Sequence, residues 1–91
     1  MGLPFEDVER IKNEFEKEYL FKAPFSAYVN VNSISKVGIK DKNAPAEQKN
    51  DFCISVGLRN ALPPDLVLPE EYQGVRVFLR VSGEIRAYSA E

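Results

Sequence analysis

The first apolar residues of the chain recur at helical spacing. Val8, Ile11, Phe15 and Tyr19 lie three or four positions apart, which puts them on one face of a helix running from Pro4 to Leu20. Phe5 extends that stripe by one turn, and Glu9, Lys12, Asn13, Glu16 and Lys17 make a charged opposite face. Pro4 suits a first helical turn, where its missing N–H costs nothing. Glu6 and Asp7 sit where the helix dipole favours negative charge, and Glu6 with Arg10 forms an i,i+4 pair. The helix must end before Pro24, because a residue preceding proline avoids the α region.

After Pro24 the period changes from helical to alternating. Phe25, Ala27, Val29 and Val31 read as one face of a strand, and Ser26, Tyr28 and Asn30 as the other. Asn32-Ser33 is a bend or a bulge, and a second extended run covers Ile34 to Lys40. Gly38 within it marks a bulge or a close backbone approach. Asp41 to Asn50 is a polar loop, expected to be the most mobile segment. Asp51 to Arg59 is the clearest strand: Phe52, Ile54, Val56 and Leu58 face the core, and Cys53, Ser55, Gly57 and Arg59 face away. Pro63, Pro64 and Pro69 bar a long helix or a central strand between Leu62 and Gly74, while the leucines and Val67 pin that segment to the core. Gly74 is placed to supply a positive φ. Val75 to Val81 alternates again, Ser82-Gly83 is a turn or bulge, and Ile85 to Tyr88 continues the extended path.

One amphipathic helix and three to four strands predict an α+β fold: a single domain over residues 1–91, with the N-terminal helix packed on a small sheet. The connection from Arg59 to Val75 is long enough for a crossover, so a mixed sheet with parallel strands is expected, with an antiparallel meander as its rival.

Composition narrows the chemistry. The 91 residues contain no histidine and a single cysteine, Cys53. The commonest general base and metal ligand is therefore missing, and Ser-His-Asp and Cys-His arrangements are excluded. A lone cysteine makes no internal disulfide and no Cys/His zinc site, which suits a reducing cytoplasm. Net charge is -2, so nothing global steers the chain to nucleic acid or to an anionic membrane. No stretch approaches the roughly 20 apolar residues of a membrane helix. The opening Met1-Gly2-Leu3-Pro4, acidic from Glu6, does not read as a signal peptide, and Glu6 occupies the position where myristoylation needs Ser or Thr.

Several side chains remain as candidates. Arg76 and Arg80 flank Phe78 on the outward side of the last strand, and Arg59 lies on the outward side of its own. Such a face suits bidentate binding of a carboxylate or phosphate, or it is an ordinary solvated sheet face. Phe78, with Tyr28 and Cys53, also suits a protein contact, or else burial under the Leu62–Tyr72 segment. Cys53 has Asp51 rather than a cation nearby, which favours a small buried hydrophobe over a reactive thiol. Glu70-Glu71 and the Glu6, Asp7 and Glu9 group are the densest carboxylates, and Ser33, Ser35 and Ser55 have no visible base. None of these makes a recognisable catalytic constellation.

The order Ser33-Ile34-Ser35-Lys36-Val37-Gly38-Ile39, Cys53-Ile54-Ser55-Val56-Gly57-Leu58, Leu62-Pro63-Pro64, Leu68-Pro69-Glu70 and Gly74-Val75-Arg76-Val77 resembles a known arrangement. It is similar to the small N-terminal α/β segment found before the protease body in some uncharacterised bacterial trypsin-like proteins. The resemblance covers roughly the C-terminal two-thirds of the chain. Lys40 stands where that pattern has a second glycine, and Arg76 where it has a proline. The resemblance implies a bacterial fold unit able to stand beside a protease. It implies no activity, because none of the protease's catalytic residues lies in that segment.

The expectation is a cytoplasmic, non-catalytic interaction or regulatory module without a cofactor, binding a protein partner or its own copy. It would do so through a strand edge supplied by residues 25–31 or 75–81. The alternative is a small-ligand or anion-binding module that uses Arg59, Arg76, Phe78 and Arg80.

Overall fold

The computed structural model describes residues 2–81. The first helix, α1 (Phe5–Phe15), runs directly into a π-helical turn over Glu16–Leu20. After a 3-10 turn at Phe25–Ala27 come β1 (Val29–Lys36), the short α2 (Val37–Lys40), a 3-10 turn at Ala46–Gln48, β2 (Phe52–Leu58), β3 (Glu71–Tyr72) and β4 (Val75–Val81). The strands form a four-stranded sheet in the order β1-β2-β4-β3. The pairing of β1 with β2 is antiparallel, that of β2 with β4 parallel and that of β3 with β4 antiparallel. The fold is thus the expected α+β arrangement, and the sheet is mixed. Ser82-Gly83 and Ile85–Tyr88 lie outside the described residues.

The helix buries Val8, Ile11 and Phe15, as its spacing predicts, but the stripe then changes step. The Phe21 N–H donates to the Glu16 carbonyl at 2.8 Å, a five-residue reach that inserts one extra residue into the turn. Leu20 is therefore the next fully buried side chain, and Tyr19 is only half-buried. Phe5 is 46% exposed and meets Phe52 edge-on at 5.3 Å rather than joining the core. Pro4 caps the helix from just outside it, its carbonyl accepting the Asp7 and Val8 N–H groups. Arg10 pairs with Asp7 at 3.7 Å and Glu14 at 3.6 Å, not with Glu6.

The strand read over 25–31 is corrected most. Phe25–Ala27 is a helical turn, and β1 starts at Val29. A bulge between Val29 and Val31 puts those residues on opposite faces: Val29 pairs with Leu58 on the core side and Val31 with Gly57 on the far side. Gly57 has no Cβ because Val31 Cγ1 lies 2.6 Å from the place one would occupy. From Asn32 to Lys36 the strand is unbroken. The run read over 34–40 ends at Lys36, where Val37–Lys40 coils into α2. The Val37 N–H donates to the Asp51 carbonyl and the Gly38 N–H to the Lys49 carbonyl, both at 2.9 Å.

The main core lies between α1 and the inner sheet face. It joins Val8, Ile11, Phe15 and Leu20 to Ile54, Val56, Leu58, Val75 and Val77, with Leu68 supplied by the proline-rich connection. The outward set of β2 is buried as well: Cys53, Val37 and Ala44 form a second cluster, against which Phe78 packs. The polar loop over 41–50 thus delivers Ala44 beneath the sheet. Tyr28 packs on the main core and Phe78 on the second cluster, so the patch expected from Tyr28, Cys53 and Phe78 does not form.

The sequence reading contained no strand at Glu71–Tyr72. Gln73 and Gly74 both have positive φ, 51° and 84°, as a tight two-residue hairpin requires. The hairpin is tied to the helix: the Tyr72 hydroxyl donates to Glu18 Oε1 at 2.6 Å, and Gln73 Nε2 donates to Glu14 Oε1 at 2.7 Å.

Phe15 is fully buried against the rings of Tyr19 and Tyr72, at 5.3 and 5.1 Å. Phe15→Ala is expected to lower unfolding free energy by about 3–5 kcal/mol in urea titrations. Phe5→Ala should cost under about half of that, since its ring already meets water.

Candidate functional site

Because β2 is central, β1 is left at the margin of the sheet. All of its strand pairing is with β2, so the other side of its backbone has no partner strand among the described residues. The edge is long for an unprotected one: residues 29–36 contain no proline, and their only charge is Lys36 at one end. Proteins that keep such edges apart guard them with charges, prolines or covering loops.

A groove of about 280 Å³ runs beside the first half of this edge, lined by Leu20, Phe21, Val29 and Val31, with Glu16 and Asn32 among its polar groups. Phe21 is 67% exposed and Val31 48%. The π-helical turn builds the groove, because by turning Leu20 inward it leaves Phe21 at the helix end in solvent. Within the groove the Asn32 Nδ2 donates to Glu16 Oε2 at 2.9 Å, and Lys12 Nζ donates to the same oxygen at 3.4 Å. Asn32 Oδ1 is enclosed without a hydrogen bond among the described residues. An orphaned acceptor costs about 1–3 kcal/mol, which offsets part of what the Asn32–Glu16 hydrogen bond contributes.

The arginine face is placed as alternation predicts but is engaged differently at each position. Arg76 pairs with Asp41 at 3.6 Å and stacks over Phe78 at 4.6 Å. Arg59 Nη2 donates to the Val29 carbonyl at 3.0 Å, across the sheet. Arg80 lies beside Gly57, and its side chain makes no hydrogen bond or ion pair among the described residues. Arg76 and Arg80 are separated by four residues of extended chain, about 13 Å, and Arg76 is already engaged by Asp41 and Phe78. A wide concavity of about 710 Å³ opens near Arg76, and its other charged lining groups are Asp51, Glu70 and Glu71. Its charge is predominantly negative, which does not suit an anion.

Of the two edges proposed from sequence, 25–31 contributes only its last residues, and the free edge continues to Lys36. Strand β4 is covered on its outer side only at its start, where β3 pairs with Val75 and Arg76 and the Val77 N–H donates to the Glu70 carbonyl; Phe78 to Val81 have no second partner strand among the described residues. Sequence reading did not single out Glu16, Phe21 or Asn32. The signal for Phe21 was an apolar residue just past the helical stripe and before Pro24.

Cys53 is fully buried in the second cluster. Burial pushes its thiol above the ordinary value of 9.0, against the smaller opposing effects of a backbone hydrogen bond at Ser35 and the charges of Lys40 and Arg76. The Tyr72 hydroxyl is raised too, chiefly because it donates to Glu18. A raised folded-state value means that the protonated thiol stabilises the fold fully below about 9.0, and that this contribution is lost as pH rises through the folded value. Urea stability should therefore fall on going from neutral pH to above 9.0, and Cys53→Ala should flatten part of that fall while leaving the Tyr72 share. The native thiol should react with a disulfide reagent only at the rate of unfolding.

No family model matches the chain, nor does any curated protein or solved structure, so the reading of this site rests on its own geometry.

Proposed function

We propose that this protein is a non-catalytic interaction module that takes up an extended segment of another polypeptide along β1. The observation that supports this is the unpaired outer edge of a strand whose only charge is Lys36 at its end, running beside a groove that Leu20, Phe21, Val29 and Val31 line. In strand addition the backbone N–H and C=O groups of the edge provide affinity, and pockets beside it select side chains. Phe21 and Val31 supply the apolar anchor, and Asn32 with Glu16 supplies a polar end. The sequence offers no histidine to share acid–base work, which favours binding over catalysis. A single buried thiol suits a reducing compartment such as the cytoplasm.

The test is a selection of displayed random peptides on the full chain, followed by amide chemical-shift mapping of the bound form. Perturbations should concentrate on residues 29–36 and Phe21, and Phe21→Ser should weaken binding about tenfold without changing the melting temperature appreciably. Shifts centred on Arg59, Arg76, Phe78 and Arg80 would transfer the function to the arginine face. Failure to select any peptide on chain that sedimentation shows to be monomeric would count against strand addition.

A further inference from the structure

We infer that the segment received by β1 is the β1 strand of a second copy, joined antiparallel across a two-fold axis at Ile34. The inference rests on the strand-addition reading above and names its partner.

The bulge between Val29 and Val31 breaks the regular edge at its start, so the undisturbed stretch is Val31 to Lys36. Its middle lies at Ser33 and Ile34, and of those two centres only Ile34 sets Lys36 opposite Asn32. An antiparallel pair of identical strands forms most bonds when the axis passes through the midpoint of the regular run. Ile34 then meets its own copy, Ser33 faces Ser35, and Asn32 faces Lys36. No like charges meet in this register, because Asn30 to Ser35 carry none.

The charges at the two ends complement each other. Lys36 has no carboxylate partner among the described residues, and its ammonium lies 5.9 Å from the centre of the Phe52 ring. Glu16 sits beside Asn32 with both of its contacts, from Lys12 and Asn32, on Oε2. Its Oε1 accepts no hydrogen bond among the described residues. Asn32 and Lys36 share the helix side of the sheet, since they pair with Val56 and Phe52. The two-fold therefore brings Lys36 of each copy to the Asn32–Glu16 end of the other, twice over.

Phe21 flanks the start of β1 at the helix end and is 67% exposed. Antiparallel docking carries the end of the second copy's strand to that start, beside Phe21. The result doubles the four-stranded sheet and removes its most open edge.

Sedimentation equilibrium of the full chain over a concentration series tests this. The mass should rise from one chain to two. Ser33→Lys, at an exposed position, and Lys36→Glu, which sets a carboxylate against Glu16, should each raise the dimer dissociation constant about tenfold or more, with far-ultraviolet circular dichroism unchanged. A single-chain mass at every concentration overturns the inference, as does a dimer that either folded variant forms as well as the native chain. The first result leaves strand addition standing if selected peptides still map to β1. Loss of peptide mapping with a dimer insensitive to both variants removes both readings.

Discussion

Burial of β2 on both faces is the constraint on which the rest of the structure depends. A strand with helix on one side of its sheet ordinarily turns its other side to water. Here Cys53, Ser55 and Gly57 are buried as well as Ile54, Val56 and Leu58. The described residues contain one long helix, and the second cover is made from the segment after β1, with Val37 and Ala44 pressed onto Cys53. The small side chains on that face follow from the thin cover. With β2 central, β1 is forced to a margin and β4 is drawn inside.

The elements legible in the sequence are those whose neighbours do not change their pattern. The α1 stripe, the alternation of β2 and the start of β4 are carried by periodicity alone, and their core faces are those observed. The departures have tertiary causes. The π-helical turn moves burial from Tyr19 to Leu20, a one-residue shift that a regular period does not contain. The bulge reverses Val31, although Val29 and Val31 look equivalent in the sequence. Val37–Lys40 has strand-like apolar spacing but coils, held by the carbonyls of Asp51 and Lys49 from the far side of a loop. A two-residue strand is shorter than any period, and only Gln73-Gly74 announces it.

The candidate site was less legible than the fold, because an edge belongs to strand order rather than to a strand. Nothing within residues 29–36 distinguishes a marginal strand from an inner one. The arginines were placed on the correct face by alternation, but their partners, Asp41 and the Val29 carbonyl, come from remote segments. The groove is likewise joint work of the helix end and the bulged strand, two local irregularities that meet only in three dimensions.

The connection between the parallel strands has a further consequence. Residues 59–74 return the chain to the same end of the sheet without the helix that usually makes such a crossover. A floppy connection of that length would spread the unfolded chain over many shapes, all of which are lost when β4 docks. Pro63, Pro64 and Pro69 fix φ at three positions before folding begins. The prolines therefore narrow the crossover's shapes already in the unfolded chain, and Leu68 supplies the packing that a crossover helix would have contributed.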